Sequence, residues 1–398
     1  MRPRELLSLA EEHTFSLGVR DLASTLSYQN MMYGLGKILH VLGNCLCVFA
    51  PDATVTRNVK RWEYGFGYGA LIRWFEKGII FPEIMPNACG MTIARLDELP
   101  KRRRLFERIN TLDEDSNLSL DGIPLTPDFG SGNHFLEFYR PLEVSPELED
   151  AIPTEDYYAV LHCSSPEKKG EVYGMVDEGE KIETPLGSIS VLEGESSKEY
   201  LRLWEDFESF SKRRRELLLK ELLGDCGIVV NKTHQGMFGE AEVRLGCYNT
   251  MDRSDGNDLF PVALRWDLPM YIMKGERNLT IEAVARLGFT ERAEKLGLME
   301  DLKNANILPH GGGYRFDIPY AETKIVRTGN KRYFILKEPK TTAGGAEGKS
   351  LSRYGEITFI NPRELPYEYR GKNVIEKTIE YDLGVPLGKL QPIETLKV

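Results

Sequence analysis

A chain of 398 residues, 41% of them hydrophobic, can bury a substantial core without disulfide or metal staples. Its formal net charge of -10 excludes a protein that coats nucleic acid through bulk charge, so any nucleic-acid contact has to be local. No run approaches the roughly 20 apolar residues of a membrane-spanning helix, and Met1-Arg2-Pro3-Arg4-Glu5 leads into an acidic amphipathic segment, so the expectation is a cytoplasmic protein with no membrane partner.

From Arg4 to about Leu42 the spacing of Leu6, Leu7, Leu17, Leu22, Leu26 and Leu39 predicts helical segments, with breaks at Gly18 and at Gly34 to Gly36. The apolar run Cys45-Leu46-Cys47-Val48-Phe49-Ala50, closed by Pro51-Asp52, predicts a buried strand feeding a loop. In Tyr64-Gly65-Phe66-Gly67-Tyr68-Gly69 the alternating glycines allow two backbones, or a backbone and a ligand, to come close. Ser197 to Leu223 is the clearest helix, with Tyr200, Leu203, Trp204, Phe207, Phe210, Leu217, Leu218 and Leu222 at helical spacing. Its basic turn, Lys212-Arg213-Arg214-Arg215, reads as a water-facing surface, with phosphate contact as the alternative, and Lys101-Arg102-Arg103-Arg104 reads the same way. Thr341 to Lys349 reads as a mobile loop. Together these segments predict an α+β fold, one mixed domain over 1–398 with central β-sheets and surrounding helices, a helical N-terminal segment of about 1–42 and a helical insert of about 197–223.

The six cysteines, at 45, 47, 89, 163, 226 and 247, include no CxxC pair and read as reduced thiols, one of them a candidate metal ligand. Four of the six histidines lie in runs of small, polar or turn-forming residues. His134 follows Gly130-Ser131-Gly132-Asn133 and enters the strand-like run Phe135-Leu136-Glu137. His162 ends the apolar run Tyr157 to Leu161, and His234 follows Gly227 to Thr233. Cys89, in Pro86-Asn87-Ala88-Cys89-Gly90-Met91, has a similar setting. Strand ends fix a side chain while the adjoining loop leaves it accessible, and a soft thiolate with several imidazoles suits Mn²⁺ or Zn²⁺. Each residue taken singly also fits a purely structural role, because the separations are too long for a local metal motif. His13 and His40 read as structural. His310 sits in Ile307-Leu308-Pro309-His310-Gly311-Gly312-Gly313-Tyr314, where glycine N–H groups can cradle an anion beside an imidazole able to attack phosphorus. The alternative is a glycine-rich turn with a surface histidine.

The order Pro51-Asp52, Cys89-Gly90-Met91, Gly130 to Glu137, His162, His234 and His310-Gly311-Gly312-Gly313 resembles the RtcB family of RNA-splicing ligases, from Pro51 to the tail ending in Lys397. The resemblance implies an RtcB-like fold with a metal site at strand ends. It also implies joining of RNA 3′-phosphate or 2′,3′-cyclic phosphate ends to 5′-hydroxyl ends with GTP and two Mn ions, and room for an activating protein. By the same resemblance Cys89 bridges the ions, His162 and His234 complete one site, His134 ligates the other, and His310 becomes guanylated. Asn133, Glu137, Gly311, Gly312, Tyr369 and Lys397 fall at positions near the nucleotide. The chain departs from the family at Pro86, where an aspartate is expected, with Asn87 or Glu83 as candidate replacements. It departs again at Cys163 to Lys169, at Tyr314 in place of an arginine, with Arg315 one place later, and near Val243 to Gly246, where a basic run is missing. Two further functions stay open: a metal-dependent RNA end-processing phosphoesterase and a ligase-inactive RNA-binding relative.

Overall fold

The computed structural model describes residues 1–114, 118–130, 132–316, 322–329, 331–337 and 357–397, and shows a mixed α and β chain with several sheets. The segment 341–349, expected as a loop, lies outside the described residues. Among the described residues no helix is long and apolar enough to cross a membrane.

An unbroken apolar run is what a strand covered on both faces requires, and every residue of Cys45–Thr54 is buried. This strand does not stop at Pro51-Asp52 as expected. Its pairing with Tyr68–Trp74 shifts register between Phe49 and Thr54, and the irregularity absorbs the proline and holds Asp52 inside the fold. Thr14–Ser16 pairs parallel to it on one side, and Tyr68–Trp74, Glu242–Leu245 and Gln235–Met237 extend the sheet antiparallel on the other.

The N-terminal segment is helical over Pro3–Glu12 and Leu22–Leu42, separated by that short parallel strand. Asp21 caps the second helix by accepting from Ser24 N–H at 2.9 Å. Gly34 and Gly36, read as breaks, lie inside this helix. A Cβ on Gly34 would stand 2.6 Å from the Gly65 carbonyl oxygen, so the glycine serves a close crossing and the packing outweighs the roughly 1 kcal/mol it costs a helix. The alternating glycines at 65 to 69 do what their spacing suggested, since Gly69 also lies against the backbone of Ala53.

The second large sheet decides the site. Its strands run in the order Gly227–Thr233, Gly90–Leu96, Tyr157–Cys163, Phe135–Val144, Val385–Leu396, Met270–Lys274 and Leu259–Val262, with every neighbouring pair antiparallel. In this register Gly90 faces both Thr233 and Cys163, while His162 faces both Met91 and Phe135. Two strands therefore begin, and two end, at the same sheet edge. Cys89, His134, His162 and His234 all fall there, although up to 145 positions separate them.

The long helix covers Glu195–Leu223 and packs Trp204, Phe207, Phe210, Leu218 and Leu222 inward. Its basic turn departs from expectation, because Arg214 and Arg215 are fully buried while Arg213 reaches outward to Asp121. Lys101 to Arg104 do face solvent as expected.

Candidate active site

The cluster forms at the sheet edge. Cys89 Sγ lies 3.3 Å from His134 Nε2 and 3.1 Å from His162 Nε2, and His162 Nε2 lies 3.2 Å from His234 Nε2. The backbone repeats the association, with His234 N–H donating to Cys89 O at 3.0 Å. Gly246 N–H and Cys247 N–H both donate to His234 O, and Cys247 pairs with Pro309, which delivers the next residue, His310, to the group. The His234 and His310 rings lie 4.4 Å apart.

Proton bookkeeping shows what this cluster lacks. His162 Nδ1 lies 3.0 Å from the Asn133 carbonyl oxygen, an acceptor only, so the proton sits on Nδ1 and the Nε2 lone pair faces Cys89 and His234. Asp128 Oδ2 is 2.9 Å from His134 Nδ1, a charge contact out of line with the N–H bond, and it draws the proton to that nitrogen. Burial raises the Asp128 carboxyl, but His134, Arg214 and Ser164 outweigh it and hold it below the usual range. One S–H hydrogen on Cys89 then faces two lone pairs. His234 fares no better. With its proton on Nε2 its buried Nδ1 has no partner, and with the proton on Nδ1 that N–H has no acceptor and two Nε2 lone pairs meet.

A cation removes this deficit. Burial, reinforced by the neighbouring imidazoles, holds His162 and His234 well below the ordinary histidine range, so both are neutral donors. Burial pushes the Cys89 thiol well up, with Arg215 opposing, and a bound cation is what stabilises its thiolate. Ligand atoms about 2.0–2.3 Å from one ion stand roughly 3–3.6 Å apart, which the observed spacings of 3.1 to 3.3 Å match. Among the described residues two groups are placed to hold a metal ion: Cys89, His134 and His162, and His162, His234 and His310. His162 belongs to both groups, with one Nε2 lone pair to offer either.

Neither candidate replacement for the missing aspartate has a free oxygen. Glu83 is taken by Lys37 at 3.1 Å and by Ser190 N–H at 3.1 Å, and the Asn87 side-chain oxygen accepts from Cys89 N–H at 3.0 Å. His13 and His40 join no cluster. The first donates from a buried ring to Cys45 O, and the second is exposed on its helix. All six cysteines are free and buried.

His310 is buried, and its Nδ1 lies 2.7 Å from Asp52 Oδ2 and 2.8 Å from Gly246 O. Two acceptors on one nitrogen place the proton there and leave Nε2 as the free lone pair. The expected anion cradle is already filled. Gly311 N–H points to Asp52 Oδ2 at 3.3 Å and Gly312 N–H donates to Ala263 O at 3.1 Å, so the anion held by the glycine run is the protein's own carboxylate. The glycines are needed for close packing: a Cβ on Gly311 would stand 2.3 Å from Ala263 O, and Gly313 has a φ of +65°.

A cleft of about 660 Å³, including space open to solvent, spreads from His310 over Asn133, Glu137, His162, Gly311, Gly312, Tyr369 and Lys397. Every residue expected near a nucleotide lines it. Lys397 Nζ bonds Gly132 O at 2.7 Å and lies 5.4 Å from the Tyr369 ring centre, while Tyr369 OH donates to Gly132 O at 3.1 Å. Burial raises the Glu137 carboxyl against hydrogen bonds from Thr395 and Tyr139. Tyr314 packs against Tyr367 and Tyr369, and Arg315 turns outward to Glu368, so neither supplies the missing cation. Arg244, in the segment lacking the basic run, is buried and bonded to Glu242 and to the carbonyls of Tyr248, Ala305 and Asn306.

Three supporting residues escaped the sequence reading. Asp52 was part of the motif without a role. Asp128 lies two residues upstream of Gly130, outside the run that carried the assignment. Arg215, buried behind Cys89, bonds Ala88 O and Asn231. Its spacing with Ser211, Leu218 and Leu222 places it on the apolar face, which was the available signal. No protein-family model matches the chain, and no curated protein matches it significantly.

Proposed function

We propose that the chain is a divergent RtcB-like RNA ligase that joins RNA 3′-phosphate or 2′,3′-cyclic phosphate ends to 5′-hydroxyl ends. The observation that carries this reading is His310, held by Asp52 and Gly246 with Nε2 unprotonated, at the junction of the His162–His234 pair and the cleft. A metal-dependent hydrolase has no need of such a residue.

Cys89, His134, His162 and His234 are the residues to hold manganese, with His310 beside them. When bound, the ions neutralise charge on phosphate oxygens. His310 Nε2 attacks the α-phosphorus of GTP, the bond to the β-phosphate oxygen breaks, and pyrophosphate leaves. Asp52 balances the positive charge that the ring acquires, while Nδ1 keeps its proton. A 2′,3′-cyclic phosphate end first adds water across its P–O2′ bond to give the 3′-phosphate. An oxygen of the 3′-phosphate then takes the guanylate from His310, and the 5′-hydroxyl oxygen, losing its proton to solvent, attacks the 3′-phosphorus and displaces GMP. Tyr369 and Lys397 line the place for the nucleotide. A cytoplasmic location and an activating protein belong to this reading as well.

Incubation with α-labelled GTP and Mn²⁺ tests it. The expected result is acid-labile, alkali-stable label on the protein that is absent from His310→Ala. Absence of label with every divalent metal would sink the ligase reading. A metal-dependent phosphoesterase acting on RNA ends is the second reading, favoured by Pro86 and by the lack of any free oxygen on Asn87 or Glu83.

A further inference from the structure

A second cavity of about 930 Å³, including space open to solvent, reaches the cluster from another side: Cys89, His134 and Asp128 line it and His310 does not. Three cationic side chains share that lining. Arg61 is spent on structure, since it bonds the carbonyls of Ile84 and Met85 and the Gln235 side chain. Arg57 and Lys169 are not spent. Arg57 rests its guanidinium on the Tyr367 ring at 4.4 Å, yet its Nη1 is buried without an acceptor. Lys169 is half-buried and has no acceptor among the described residues.

The Arg57 position is costly without a counterion, and the Lys169 position favours one. A buried guanidinium N–H with no acceptor loses its solvation for nothing in return. Lys169 opens the helix Lys169–Glu178, where the positive end of the helix dipole repels a cation and attracts an anion. Among the described residues the one carboxylate facing the cavity, Asp128, is engaged by His134 and by the Ser164 hydroxyl at 3.0 Å. Among the described residues no carboxylate is left to meet Arg57 and Lys169.

We infer that this cavity is a binding subsite for a phosphate monoester dianion, gripped by Arg57 and Lys169 beside Cys89 and His134. Two charge-assisted donors suit the doubly charged group better than a phosphodiester. The subsite stands on these side chains alone, whereas its assignment to the 3′-end of an RNA strand rests on the ligase reading.

Fluorescence anisotropy on the full chain decides it, with labelled RNA octamers ending in 3′-phosphate or 3′-hydroxyl and inorganic phosphate as competitor. The 3′-phosphate strand is expected to bind at least about tenfold tighter, and Arg57→Gln and Lys169→Gln each to lose about tenfold on that strand alone. Arg57→Gln and Lys169→Gln proteins that melt like the wild type and keep full preference overturn the subsite, and Lys169→Gln, at a solvent-facing helix start, carries the test if Arg57→Gln does not fold. Competition by inorganic phosphate in the wild type but not in the variants, without preference for the 3′-phosphate strand, keeps the subsite and identifies its ligand as the free ion. A protein that prefers the 3′-phosphate strand but takes no label from GTP keeps the subsite and loses the ligase reading. Label from GTP with neither strand preference nor competition by inorganic phosphate loses the subsite alone.

Discussion

Asp52 Oδ2 stands 2.7 Å from His310 Nδ1 and accepts the backbone N–H of the same residue at 3.1 Å. One oxygen thus fixes both the ring and the chain of the residue proposed to attack phosphorus. Asp52→Asn offers the ring an amide that can donate as well as accept, so the proton can settle on Nε2 and block the attack. The labelling rate from α-labelled GTP is expected to fall about 10²- to 10⁴-fold. Single-turnover labelling with metal content measured in parallel checks this, and an unchanged rate removes Asp52 from the mechanism.

His162 falls in both metal-holding groups but offers a single Nε2 lone pair, so each ligand variant should lose one ion and keep the other. His134→Ala is expected to lose the ion it holds with Cys89, and His234→Ala the ion it holds with His162. His162→Ala should lose the ion shared with His234 and keep the one on Cys89 and His134. Elemental analysis of the purified, manganese-loaded proteins measures the stoichiometry directly. Loss of all metal from each of the three variants would mean a single shared ion.

Arg215 donates to Ala88 O at 3.2 Å, to Thr92 Oγ1 at 3.1 Å and to Asn231 Oδ1 at 2.9 Å, joining the strand that follows Cys89 to the strand that precedes His234. Arg215→Met leaves these acceptors short of donors in a dry interior. The expected cost is about 2–4 kcal/mol of unfolding free energy, read by urea denaturation of the metal-free protein. Loss of the cation beside Cys89 should also weaken metal binding, which titration with Mn²⁺ tests separately. If stability falls and metal affinity does not, the residue supports the fold alone.

The cluster was legible where the signal was local. Cys89, His134, His162 and His234 each mark the point where an apolar run meets polar or turn residues, and all four stand at strand ends. Their convergence depends on the pairing of Gly90 with Thr233 and of Phe135 with His162, a long-range register that no window of sequence contains. Local rules misled where distant partners won. Gly34 looked like a helix break until the Gly65 backbone crossed it, and the N–H groups of Gly311 and Gly312 looked free until Asp52 and Ala263 took them. Arg214 and Arg215 were assigned to solvent because a charged run is usually solvated, whereas their helical position pointed inward.

Lys37 provides a pH-dependent test of the core, away from the chemistry. Its ammonium group is buried against Glu83 at 3.1 Å and the Ser188 carbonyl at 3.2 Å, and burial lowers its pKa to about 8 despite Glu83. An unfolded lysine titrates near 10.5. Between these values the unfolded chain binds more protons than the folded one, so stability rises with pH. The penalty for burying the charge is fully present below about pH 8 and gone above about 10.5, a swing of order 3 kcal/mol. Lys37→Met lacks this titration, and subtracting its unfolding free energy from that of the wild type cancels the other groups. The difference should shift in favour of the wild type from pH 7 to pH 10. A flat difference would mean that Lys37 keeps an ordinary lysine pKa inside the fold, with Glu83 and Ser188 offsetting the whole cost of its burial.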